Sequence, residues 1–193
     1  MNSQKTLKLA QAALLLAICI GSQFLKNMSV YITGPIVNIC LIICALTAGT
    51  GWALVLAVVS PITSFIITGS KIMAAVPEII PAVMLGNIIL VVSIRFAEEI
   101  IKNKKISLPV GIGAGVVLKA GFMGVVISLI LLPLFLPEQM APQMKIFQLT
   151  FSVTQLITGI IGGILSYFIW IPLKKALFGN SNSANKDKSK FTE

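Results

Sequence analysis

There is no histidine anywhere in this chain, and its one aspartate, Asp187, stands close to the C-terminus. Together these exclude a Ser-His-Asp triad, a His-Glu-x-x-His zinc site and chemistry by paired aspartates. No Gly-x-x-x-x-Gly-Lys-Ser/Thr loop occurs, so the chain carries no P-loop for ATP. Charge is scarce as well: 11% of residues are charged, against about 25% in soluble domains. The three cysteines, Cys19, Cys40 and Cys44, all lie within apolar runs. An odd number, without histidine partners, fits neither a disulfide framework nor a metal site, and they read as small packed hydrophobes. No enzymatic activity, cofactor or metal is expected.

What is present is apolar sequence. Hydrophobic residues make up 56% of the 193, and the mean hydropathy is +0.98. The expected fold is an all-α integral membrane protein, a bundle of six transmembrane helices over about residues 7–25, 31–49, 51–69, 78–100, 110–133 and 146–171. The first run resembles a signal peptide in its leading lysines, but no small-residue cleavage site follows, so it is read as a retained helix. Pro35 falls in the expected first turn of helix 2, where a proline loses no hydrogen bond. Pro61 falls in the middle of helix 3, with Ser60, Thr63 and Ser64 at hand for freed carbonyls, and predicts a kink there. Pro172 is expected to stop helix 6. Residues 176–193, polar and rich in Ser, Asn and Lys, read as a disordered tail.

An even number of helices puts both termini on one side. With that side inside, the inner segments hold eleven lysine and arginine residues and the outer loops three, Lys26, Lys71 and Lys145. This asymmetry predicts a plasma-membrane protein with both termini and the 101–109 loop in the cytoplasm. The net charge of +9 is thereby read as orientation, not as a surface for nucleic acid. Met28, Met73, Met140 and Met144 in the outer loops read as adaptable lids over a cavity, or as residues of the headgroup zone.

One residue is out of place. Lys119 stands nine positions into helix 5, roughly 14 Å along it and near the bilayer midplane. A cation there costs from about 2.5 to more than 10 kcal/mol, depending on snorkelling and water. Asn38, Asn87 and Gln155 fall at similar depth in helices 2, 4 and 6, and polar residues at that depth face a bundle interior. Tyr31, Thr33, Glu78, Gln148 and Ser152 form a shallower ring. These residues serve either as interhelical glue, with Lys119 donating to the amides of Asn87 and Gln155, or as a ligand site. Helix 1 carries a stripe of small residues, Ala13, Ala17 and Gly21, and helices 5 and 6 are rich in glycine. Such stripes permit close helix approach, either within the bundle or with another membrane protein.

The size, the six helices, the basic inner ends, the Ala13-Leu14-Leu15-Leu16-Ala17 segment and the Gly86-Asn87 pair resemble the substrate-binding S components of the energy-coupling factor (ECF) vitamin transporters of bacteria. The likeness covers about residues 5–175. It implies a subunit of an ABC-type importer that binds a vitamin or related micronutrient from outside and topples to deliver it inward. It also implies partners: a transmembrane coupling subunit carrying two cytoplasmic ATPases. Carried over by position, Ala13, Ala17 and Gly21 would dock the coupling subunit. Asn38, Glu78, Asn87, Lys119, Gln148, Ser152 and Gln155 would be the substrate-binding residues. An unpaired deep cation favours a ligand with a carboxylate or other electron-rich group. A stand-alone small-solute facilitator and a non-transporting membrane scaffold are the alternative readings.

Overall fold

The computed structural model of the chain describes residues 3–25 and 29–178. Lys26, Met28 and most of the expected tail, 179–193, lie outside the described residues. Six helices are long and apolar enough to cross a membrane, and no strand occurs among the described residues. The chain is thus a multi-pass membrane protein.

Helices α1 (Ser3–Gln23), α2 (Val30–Thr47) and α3 (Thr50–Thr68) form the first three spans. A five-residue helix, α4 (Lys71–Ala75), follows, then the fourth span, α5 (Ile79–Ile100). The fifth span is composite: α6 (Lys104–Met123), a π-helical segment (Gly124–Leu131) and α7 (Leu132–Phe135). After a 3-10 turn at Glu138–Gln143, the sixth span comprises α8 (Met144–Phe151) and α9 (Val153–Phe178).

Several boundaries differ from expectation, each for a local reason. Ser29 accepts a hydrogen bond from the Tyr31 N–H and caps α2 early, so Pro35 falls inside the helix and not in its first turn. The fifth span starts at Lys104, not near residue 110, because the N–H groups of Ile106 and Ser107 both bond to the Asn103 carbonyl. Pro172 does not stop the last helix, which continues to Phe178 past the expected tail boundary. The sixth span is interrupted at Ser152, whose backbone (φ −117, ψ −86) departs from helix. Between α2 and α3 only Ala48 and Gly49 intervene, and the reversal needs the φ of +102° at Gly49, which favours glycine.

Helix α2 is the centre of the bundle and packs against α1, α3, α5 and α9. Its run Cys40-Leu41-Ile42-Ile43-Cys44 is buried at five consecutive positions. A helix buried on successive residues is covered on every side, which a uniformly apolar run permits. The cysteines are unpaired and belong to this core. A second apolar cluster, with Met73, Ile79, Met123, Ile127, Leu132 and Phe151, sits at the end of the bundle opposite the N-terminus.

Glycine sets the closest helix contacts. A Cβ at Gly162 on α9 would stand 2.9 Å from the Pro35 carbonyl oxygen and 2.8 Å from the Asn38 Cβ on α2. Gly113, by contrast, has nothing within 4 Å of where its Cβ would stand. Gly162→Ala is therefore expected to destabilise the protein by about 1–3 kcal/mol, the usual penalty of overpacking against backbone. Gly113→Ala should be neutral or slightly stabilising. Thermal unfolding of the two variants in detergent checks the contrast, and equal melting temperatures would sink it.

Candidate functional site

A proline inside a helix removes one N–H and leaves the carbonyl four residues earlier without its partner. In hydrocarbon no water can take that place, so a neighbouring group must. Pro61 frees the carbonyl of Ala57. Asn87, on α5, donates its Nδ2 to that oxygen at 3.3 Å and to the Ser60 hydroxyl at 3.3 Å. Thr63, expected to repair the kink, bonds instead to the Val59 and Ser60 carbonyls. Asn87 thus ties α5 to α3 at the one carbonyl that Pro61 exposes.

Gln148 does the same for the fifth span. In the π segment each N–H bonds five residues back, as Leu132 does to the Ile127 carbonyl. The next bond in that register would run from residue 133 to the Ser128 carbonyl, but residue 133 is proline. Gln148 Nε2 donates to the Ser128 oxygen at 2.9 Å, and the Ser128 hydroxyl donates back to the Gln148 carbonyl at 2.9 Å. Ser152 Oγ donates to the same Gln148 carbonyl at 2.5 Å, where the helix breaks. Gln148 and Ser152, expected in the substrate site, therefore hold the broken sixth span to the π segment. They face a groove on the bundle's flank beside Val125 and Leu129.

Glu78 is also displaced. It precedes α5 in the turn after Pro77 and is exposed at the bundle end, outside the cavity.

The structure brings Asn38, Asn87, Lys119 and Gln155 to one cavity of about 320 Å³. It lies toward the end of the bundle where α1 finishes and α2 begins, opposite the N-terminus. Apolar walls come from α4 (Ile72, Met73) and α8 (Phe147, Phe151). Met73 lines it directly, while Met140 and Met144 pack on the apolar cluster above it. Lys119 is 4% exposed, and its Nζ donates to Asn38 Oδ1 at 2.7 Å. The expected contacts to Asn87 and Gln155 are not made; those residues instead donate their amide nitrogens to the Ala57 and Thr150 carbonyls. Among the described residues no carboxylate pairs with Lys119. The ion pairs found there join Arg95 to Glu98 and Glu99 on the exposed end of α5.

Six polar lining residues escaped the sequence reading: Gln23, Ser70, Thr150, Ser60, Ser64 and Thr68. The last three repeat every four residues along α3, which places them on one helix face. That spacing was the available signal, but beside Pro61 the hydroxyls of Ser60 and Ser64 equally fit the repair of its kink. Gln23 sits in the last turn of α1 and bonds to the Cys19 carbonyl at 3.3 Å, a buried position that nothing in an apolar run announces.

On α1 the two faces separate cleanly. Ala12, Cys19 and Ser22 are buried against the bundle, while Ala13, Ala17 and Gly21 are exposed on its outer surface. No family model, curated protein or solved structure matches the chain.

The Asn87 assignment can be tested through its proline. Asn87→Leu, close to isosteric, should destabilise the protein by about 1–3 kcal/mol, the cost of a buried carbonyl left bare. In a Pro61→Ala background the restored N–H serves Ala57, and the same change should cost far less. A double-mutant cycle read by unfolding in detergent decides it. Additive effects would mean that Asn87 does not repair the proline defect.

Proposed function

We propose that this chain is the membrane-embedded substrate-binding subunit of an ECF-type importer, taking a vitamin-like micronutrient from outside and delivering it inward when docked on a coupling subunit with two ATPases. The observation that carries this reading is the cavity floored by buried Lys119 at the end of the bundle opposite the N-terminus. With the basic segments in the cytoplasm, that end faces outward, as a binding subunit of an importer requires. Beneath the cavity the bundle is filled by Cys40, Ile42, Cys44, Leu90 and Ile94, all buried. A stand-alone facilitator would have to open that core on each cycle, which favours a subunit moved by external work. The absence of a P-loop motif fits ATPases on separate chains.

Exposure of Ala13, Ala17 and Gly21 on α1 supports this reading, since a docking face must be free of the bundle. Tryptophan at Ala13 or Ala17 should abolish copurification with coupling and ATPase subunits while leaving the melting temperature unchanged. Tryptophan at Ile66, which is 72% exposed on α3, should leave copurification intact. Normal copurification by both α1 variants would refute the docking assignment, and ATP-independent uptake would favour the facilitator.

A further inference from the structure

The amides of the cavity are not interchangeable, and their orientations follow from what they touch. Lys119 can only donate, so the atom it meets on Asn38 is the oxygen. Ala57 O can only accept, so the atom it meets on Asn87 is the nitrogen. The two residues are thereby left with opposite polarity toward the cavity. Asn38 has its Oδ1 occupied and retains Nδ2, while Lys119 retains two further N–H groups among the described contacts. The floor is a pole of donors only. Asn87 has committed its Nδ2 to Ala57 and Ser60 and retains Oδ1, an acceptor on the adjoining helix α5.

Such a pole matches a group that only accepts. A neutral amide or alcohol would leave the ammonium uncompensated, and a cation would add repulsion to it. Among the described residues no carboxylate lines the cavity to receive a positive ligand. A carboxylate satisfies the floor with charge-assisted hydrogen bonds. The acceptor at Asn87 calls for a hydroxyl or amide N–H elsewhere on the same molecule. The volume, about 320 Å³, is at the small end of ligand pockets, and among the described residues only Phe147 and Phe151 offer aromatic surface there.

We infer that the cavity binds a small monocarboxylate that also carries a hydroxyl or amide N–H, with its carboxylate on Lys119 and Asn38 and its donor on Asn87. This deepens the importer reading and rests on it for the direction of access only.

The test uses the full chain in nanodiscs without partner subunits. The probes are short hydroxyalkanoic acids and N-acylated amino acids of cavity size, each with its carboxamide and with the parent acid lacking the hydroxyl or N–H. Binding is read by calorimetry and thermal shift. At least one acid should bind, and its carboxamide should bind about 10- to 100-fold more weakly. The parent acid should lose up to about tenfold. Lys119→Met should remove binding without lowering the melting temperature of the unliganded protein. Asn38→Leu, which keeps the lysine, should weaken the acids as well. Equal binding of acids and amides, preference for amines, unchanged affinity in Lys119→Met, or no binding by any acid would each overturn the inference. Copurification with ATPase subunits by a protein that fails this test would leave the importer reading standing. Acid binding by a protein that has no such partners would do the reverse.

Discussion

Inside a bilayer a backbone carbonyl that loses its partner cannot turn to water, and leaving it bare costs several kcal/mol. This chain carries prolines within its spans, so it must supply donors from elsewhere. At Pro61 the donor is Asn87, and for the carbonyl left by Pro133 it is Gln148. Both donors come from other spans, so each repair is also a tie between helices: α3 to α5, and α8 to the π segment. The prolines therefore do more than bend helices. They determine where a neighbouring amide has to stand, and with it the rotation of that neighbour about its axis.

Lys119 is a polar residue that this rule does not absorb. Its hydrogen bond to Asn38 is of the charge-assisted kind, worth about 1.5–3 kcal/mol. The cost of a cation at that depth ranges from about 2.5 to above 10 kcal/mol. One neutral amide oxygen offsets the lower end of that range and not the upper. The remaining compensation has to come from what occupies the cavity, whether water or solute. Gly162 is part of the same arrangement. Its missing side chain lets α9 close onto Pro35 and Asn38, which holds Asn38 in reach of the lysine.

The number and approximate extent of the spans were legible, because an apolar run of about twenty residues has one meaning in a chain this poor in charge. The ends were less so. A cap such as Ser29 or Asn103 acts through single hydrogen bonds that hydropathy does not register. Depth alone found Asn38, Asn87, Lys119 and Gln155, because residues level in a bundle meet if they face inward. It failed for Gln148 and Ser152. A π segment and a helix break change the facing of every residue beyond them, and neither can be read from an α-helical period. Glu78 differs for another reason: as the cap residue before α5 it stands exposed at the bundle end, beyond the cavity. Asn87 was placed beside the cavity correctly by depth, but its bond to Ala57 depends on a residue thirty positions away.

The two apolar clusters differ in how they are tied together. The larger one joins residues of α1, α2, α3, α5 and α6 through long uninterrupted helices. The smaller one is assembled from pieces: α4, the start of α5, the π segment, α7 and α8. Of these, α8 is separated from α9 by the break at Ser152, yet bound to the π segment by the reciprocal pair between Ser128 and Gln148. The cavity lies between the two clusters, with α4 and α8 on its upper walls. Helix α8 is held toward α9 as well, by the Gln155 amide on the Thr150 carbonyl. Separating α8 from the π segment would break two hydrogen bonds and expose the Ser128 carbonyl that Pro133 leaves without a backbone donor. The same proline that calls for Gln148 thus fixes α8 to the π segment at the end of the bundle over Lys119.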